Sequence, residues 1–295
     1  MEAIRVTTIT GAMLVSSTVA EPYTGETAWS ALTTYAEGDR AIRTSTHRIY
    51  ESLVAGNLNH TPETSPTQWV DAGPTNKWAA FDELIDTVTT DASPLTYVFN
   101  PGLVEAFALL GLVGQTAQVS IVVGAATVYD QTFDLDGSII ADDYDYMFAP
   151  FNQRTQVVAT DLAPYDGTWT VTITGASTAS VGVIAVGTTD YLGRLGYGAQ
   201  AGYISYSGID TDTFGRTKIT RRRAVKSITG QLLVDRPDIN RVSRSFADLD
   251  GRLAIFVGTS DDDYEPLTVY GFVTDATGQM DGPNHAFYSF SARGF

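Results

Sequence analysis

The segment Thr168-Trp-Thr-Val-Thr-Ile-Thr174 alternates strictly between large apolar residues and threonines. A side-chain repeat of two belongs to an extended chain, so this segment predicts a strand. Trp169, Val171 and Ile173 then share one buried face, with hydroxyls on the other. Gln118-Val-Ser-Ile-Val-Val123 and Leu267-Thr-Val-Tyr-Gly-Phe-Val273 also read as strands. Asp136-Gly137, Asp166-Gly167 and Asp250-Gly251 supply turn chemistry, because glycine accepts a positive φ without a Cβ clash.

Helix signals are few. The clearest runs from Pro237 to Gly251, where Ile239, Val242, Phe246 and Leu249 fall at helical spacing. Asp238 is placed to cap its start and Gly251 to end it. The apolar run Leu103–Leu112 fits a short helix or loop and fits a buried strand equally well. The expected architecture is mainly β.

Composition bounds the rest. A chain of 295 residues that is 43% hydrophobic and 18% charged has ample apolar surface for two or three compact domains. Cysteine is absent, which removes disulfides, thiolate metal sites and cysteine nucleophiles together. A net charge of −16 argues against a nucleic-acid coat, since phosphate binding draws on basic clusters. No apolar run approaches the roughly 20 residues that span a bilayer. The opening Met1-Glu-Ala-Ile-Arg-Val lacks the pattern of a signal peptide.

Vocabulary shifts along the chain suggest four zones: an N-terminal arm (1–21), an aromatic β module (22–73), a β-sandwich (74–190) and a C-terminal α+β assembly domain (191–295). The last zone contains a charge anomaly. Ten basic residues and only four acids lie between Arg216 and Arg252, a net +6 in an otherwise acidic chain. Arg221, Arg222, Arg223 and Lys226 are its densest part. Two readings stand: contacts between subunits, or a solvated helix face and loop.

The most specific pattern is in the second zone. Trp29 is followed at six residues by Tyr35, then Gly38-Asp39, a strand, Tyr50-Glu51, a loop containing Asn57, Asn59, Pro62 and Pro66, and a closing Trp69. This resembles the small chitin-binding module of carbohydrate-binding families 5 and 12. Members that bind sugar stack aromatic rings on pyranose faces, which makes Trp29, Tyr35, Tyr50 and Trp69 candidate glycan contacts. The same rings equally suit a structural role, because a fold this small has little else to bury and each ring hides about 150–250 Å².

Further motifs point to a larger resemblance. These are Ile9-Thr-Gly-Ala-Met-Leu-Val-Ser-Ser-Thr-Val19, Pro74-Thr-Asn-Lys-Trp-Ala-Ala-Phe-Asp82, Val183-Ile-Ala-Val-Gly187 and Tyr206-Ser-Gly-Ile-Asp-Thr-Asp-Thr-Phe-Gly215. With the inserted module, they make the chain similar to structural proteins of tailed-bacteriophage virions. The order of strands from 93 to 174 looks like a galactose-binding-like jelly roll. The resemblance implies a mainly β fold: the small module, a central sandwich of jelly-roll form, and a C-terminal β-rich domain with one helix. It implies a multimer made in the host cytoplasm and built into the virion at the tail tip, baseplate or neck, with other virion proteins as partners. The alternative is a receptor-recognition protein that binds a bacterial surface glycan during adsorption.

Catalytic signals are weak. His47, His60 and His285 lack ligand spacing. Asp142, Asp143 and Asp145, and the run Asp261–Asp263, suit either calcium or solvated loops. Gly193, Gly196 and Gly198 lack the lysine and the strand-to-helix context of a phosphate loop. The expectation is a non-enzymatic protein without catalytic residues, metal or cofactor.

Overall fold

A computed structural model describes residues 1–138, 142–148, 152–211, 213–259, 262–280 and 282–294, leaving aside the side chains of Asp145, Tyr146, Asp262 and Asp263. The protein is mainly β, with 52% strand and 10% helix. Among the described residues, one curled sheet of ten strands runs through most of the chain. Its order is Gln156–Ala159, Ala106–Leu110, Val183–Tyr191, Glu2–Val6, Ala254–Val257, Thr268–Gln279, His285–Gly294, Ala224–Asp235 and Arg194–Leu195, with Gln200–Ser205 also pairing on Ala224–Asp235. A five-stranded sheet is ordered Ala126–Asp134, Thr116–Val123, Thr168–Thr174, Leu95–Phe99 and Leu14–Ser17.

The two sheets make a sandwich. Trp169, Val171 and Ile173 alternate inward as their spacing requires, and all three are buried. Leu95, Tyr97 and Phe99 on one flank and Ala117, Val119 and Ile121 on the other extend the same face. Across the core stand Phe107, Leu109, Ile184 and Val186 of the large sheet, with Phe107 meeting Trp169 edge to face at 6.2 Å between ring centroids. The run Leu103–Leu112 is therefore strand, split into Leu103–Val104 and Ala106–Leu110.

The motif Pro74–Asp82 closes one side of this core. Its apolar members Trp78, Ala80 and Phe81 enter the core, with Phe81 edge-on to Tyr97 at 5.1 Å. Its polar members satisfy backbone that would otherwise be orphaned. Asn76 donates to the Thr90 carbonyl at 2.9 Å and accepts from the Thr90 amide at 3.1 Å. The buried Tyr97 hydroxyl donates to the Lys77 carbonyl at 2.6 Å.

Over the other half of the large sheet lies the helix Ile239–Leu249. Val242, Phe246 and Leu249 are buried against Ile228, Leu232, Phe256 and Phe290, and Phe246 stacks on Tyr288 at 5.9 Å. Asp238 precedes the helix without a side-chain cap bond, and its carboxylate instead accepts from Arg241 Nε at 3.2 Å. Gly251 has φ +68°, the conformation expected just past a helix end. Gly137 and Gly167 do not have a positive φ. At Gly167 the requirement is space, since a Cβ there would strike the Val122 carbonyl.

The strand Glu2–Val6 joins these halves. It pairs with Val183–Tyr191 through five residues and with Ala254–Val257 through four. Ala3 faces the helix side, while Ile4 faces the inside of the curl among Ala108, Val183, Ile255 and Tyr270. Ile4 is fully buried, so Ile4→Ala should cost about 2–5 kcal/mol of unfolding free energy. Val15→Ala, at an exposed position, should change stability by no more than about 0.5 kcal/mol. Urea denaturation of the two variants beside the parent chain tests this, and equal midpoints would refute it.

Candidate functional site

The aromatic module is a three-stranded sheet of Arg40–Arg43, Arg48–Ser52 and Trp69–Pro74, beside the short pair Thr34–Tyr35 and Asn57–Leu58. Tyr35, Tyr50 and Trp69 are its core, at 4, 8 and 3% exposure. Tyr35 and Trp69 meet edge to face at 5.0 Å. The Tyr35 hydroxyl accepts from the Ser30 amide at 2.8 Å, and the Trp69 indole N–H donates to the His60 carbonyl at 2.9 Å. Half-buried Trp29 packs against this core, and the Arg43 guanidinium lies 4.9 Å above its ring. Of the four expected sugar-stacking rings, Tyr35, Tyr50 and Trp69 are thus internal, and Trp29 is half-buried with a cation above it. The large apolar groups the module exposes are aliphatic, Leu32, Leu53, Val54, Leu58 and Val70.

Arg43 also donates to Glu63 at 2.7 Å, and Ser45 donates to the same carboxylate oxygen. Burial alone would raise the Glu63 pKa; these bonds and the Arg43 charge instead hold it below the ordinary carboxylate value.

A polar clamp fixes the module to the sandwich. Glu21, whose side chain is 7% exposed, accepts from Thr75 Oγ1 at 2.8 Å and lies 3.0 Å from His47 Nδ1. The His47 ring stacks on Trp78 of the core motif, with centroids 4.2 Å apart. Glu26 accepts from the Asn76 amide at 2.8 Å. The sequence patterns did not announce this clamp, because its members come from three separate stretches of chain.

The basic segment divides into two parts. Around the helix, arginines are spent within the chain: Arg241 Nη1 donates to the Tyr191 carbonyl at 2.7 Å, Arg236 to that of Pro283 and Arg244 to that of Asn240. Arg223 pairs with Asp86. Lys226 sits where the curled sheet meets itself, its ammonium 3.0 Å from Gln156 Oε1 and 3.9 Å from Glu265 Oε1. Gln156 lies on the first strand of that sheet and Lys226 near the last, so side chains rather than a backbone ladder close the curl. Burial lowers the Lys226 pKa, and the Glu265 charge opposes that shift.

The other part is exposed. Gly208–Thr211 and Thr217–Thr220 form a two-stranded hairpin whose residues are all exposed, followed by exposed Arg221 and Arg222. Ile209 and Ile219 are directly paired across it, at 73 and 63% exposure, and Asp210 pairs with Lys218.

The remaining candidates are not gathered into a site. His47 is in the clamp, His60 Nδ1 is 3.0 Å from Asn57 Oδ1, and His285 packs edge-on to Phe287. Asp142 and Asp143 are exposed; the side chains of Asp145, Asp262 and Asp263, and the whole of Asp261, lie outside the described residues. Among the described residues, no group of three or more His, Asp or Glu side chains is placed to hold a metal ion. Gly193 and Gly196 lie against the backbone of the strand Ala224–Asp235. A groove of about 300 Å³ lies between Tyr129 and Gln131 on one side and Gln156, Val158 and Ala159 on the other, with Glu265 and Asp161 at its edge. Among the described residues, no helix is long and apolar enough to cross a membrane.

No protein-family model matches the chain, and no curated protein matches it.

The Lys226 environment gives a pH dependence with a definite sign. A lysine whose folded pKa lies below its unfolded value of 10.5 binds fewer protons when folded, so stability rises with pH across that interval. The melting temperature of the parent chain should therefore gain on that of Lys226→Met as pH is raised towards 10.5. A difference independent of pH would show that the ammonium is not desolvated in the fold.

Proposed function

We propose that this chain is a multimeric structural protein of a tailed-phage virion, set at the tail tip, baseplate or neck, with other virion proteins as neighbours and no substrate to transform. The location in the particle comes from the resemblance of its motifs. The multimeric role is supported by one observation above the rest: Tyr203, Tyr206, Ile209, Phe214 and Ile219, close together in the sequence, are all exposed. Apolar surface gathered together marks contact sites, whereas scattered single residues do not. The clamp between module and sandwich adds to this, since Glu21, His47, Thr75 and Trp78 fit the module as a rigid spacer.

The glycan-binding alternative has less to draw on in the front module, where Tyr35, Tyr50 and Trp69 are interior. A glycan array with the intact chain separates the two readings: reproducible binding abolished by Leu32→Asp or Leu58→Asp on the exposed module surface would favour the receptor reading.

The decisive experiment for the structural reading is mass spectrometry of purified virions. Peptides of this chain should be present at a fixed stoichiometry to the other particle proteins. Their absence from intact particles would overturn the assignment.

A further inference from the structure

We infer that the hairpin Gly208–Thr211/Thr217–Thr220 is an assembly arm that docks on a second copy of this chain, against the open edge of the strand Ala126–Asp134. The inference rests on the multimeric reading above and names the surfaces that make the contact.

The arm is an unusual object on a solitary protein. It continues the pair Gln200–Ser205/Ala224–Asp235 outward, through the Tyr206 amide on the Arg223 carbonyl and reciprocal bonds between Ser207 and Arg222, and its own residues are exposed on both strands. Here Ile209 and Ile219 stand side by side on one face, and neither belongs to a core of the chain. Lys218 shares the opposite face with its cross-strand partner Asp210, and exposed Arg221 and Arg222 follow immediately. The arm thus presents an apolar pair with two exposed arginines at its base.

The complementary surface is on the same polypeptide. The strand Ala126–Asp134 ends the five-stranded sheet and, among the described residues, pairs with Thr116–Val123 alone, leaving its outer backbone groups open. Val128, Asp130 and Asp134 are exposed along it. Beside it runs the groove of about 300 Å³, whose far wall is Gln156–Ala159, the end strand of the large sheet. Two open strand edges flanking a groove are a template for an added strand or hairpin.

Charge selects the occupant. Between Ala126 and Gln153 the sequence has six aspartates and no lysine, arginine or histidine. Between Gly208 and Arg222 it has four basic residues and two aspartates, a net +2 in an acidic chain. A second copy therefore brings the matching arm, and every copy offers both an arm and an edge. Such a head-to-tail contact repeats from subunit to subunit until a ring closes or a filament grows.

Sedimentation velocity of the full chain tests this, in low and in high salt. The parent should self-associate, less so in high salt because screening weakens exposed charge pairs. Ile209→Ser with Ile219→Ser, Arg221→Glu with Arg222→Glu, and Asp130→Lys with Asp134→Lys should each weaken association by about tenfold or more while leaving the circular dichroism and melting temperature unchanged. Mixing the Arg→Glu protein with the Asp→Lys protein should restore assembly, because each then supplies the partner the other lacks. A parent that stays monomeric overturns the inference. So does an oligomer indifferent to all three variants, although in that case another surface makes the multimer and the virion reading stands. Loss of association without rescue on mixing would show that the arm does not meet this edge.

Discussion

The strand Glu2–Val6 is the join on which the architecture depends. It supplies the ladder between Val183–Tyr191, which belongs to the sandwich half, and Ala254–Val257, which belongs to the helix-covered half. Without it the large sheet would end twice, leaving two rows of unpaired amides and carbonyls beside exposed core. Its two faces serve different cores, Ala3 under the helix and Ile4 inside the curl. Gly187, opposite Val6, allows the approach, since a Cβ there would overlap the Arg5 carbonyl. Arg5 also pairs with Asp190 on the neighbouring strand, adding a charged contact across the same ladder.

Local order was legible in the sequence, and long-range order was not. Threonine alternation places Trp169, Val171 and Ile173 inside because a pleated strand allows nothing else. Helical spacing likewise places Val242, Phe246 and Leu249 under the helix. The Asp-Gly pairs were less reliable, because the pair marks a tight place without saying whether φ or space is limiting; Gly251 needs the first and Gly167 the second. The opening segment reads as an extended arm, and nothing in Glu2–Val6 says that it lies between strands from 183 and 254 onward. That information resides in partners nearly the whole chain away.

The aromatic module shows why a motif can be recognised without revealing a site. In so small a sheet, the residues that make the pattern visible are those with enough area to hold it together. Tyr35, Tyr50 and Trp69 are spaced as they are because they must meet one another, with Trp69 also tied to His60 and Tyr35 to Ser30. A binding face would need further rings on the outside, and this module exposes Leu32 and Leu58 there instead. Lys226 gives the same lesson for charge. It belongs to a basic run in sequence, yet the fold takes it into the seam beside Gln156 and Glu265 and leaves Arg221 and Arg222 outside.

Copies of a chain with net charge −16 repel one another at long range, so any association must come from contacts closer than the screening length of about 8–10 Å. Segregating the charge solves that problem better than neutralising it. A chain of the same net charge with its basic residues scattered would meet itself with acid against acid in most orientations. Placing Arg221 and Arg222 outside, at the base of the hairpin that carries Ile209 and Ile219, would make one orientation attractive while the rest of the surface still rejects the others. The apolar pair Ile209 and Ile219 then supplies short-range attraction that charge alone lacks in water. Under the proposed contact, the acidity of the chain and the arginines beside its exposed hairpin would be two halves of one device: repulsion would suppress disordered aggregation, and the arm would permit a single ordered contact.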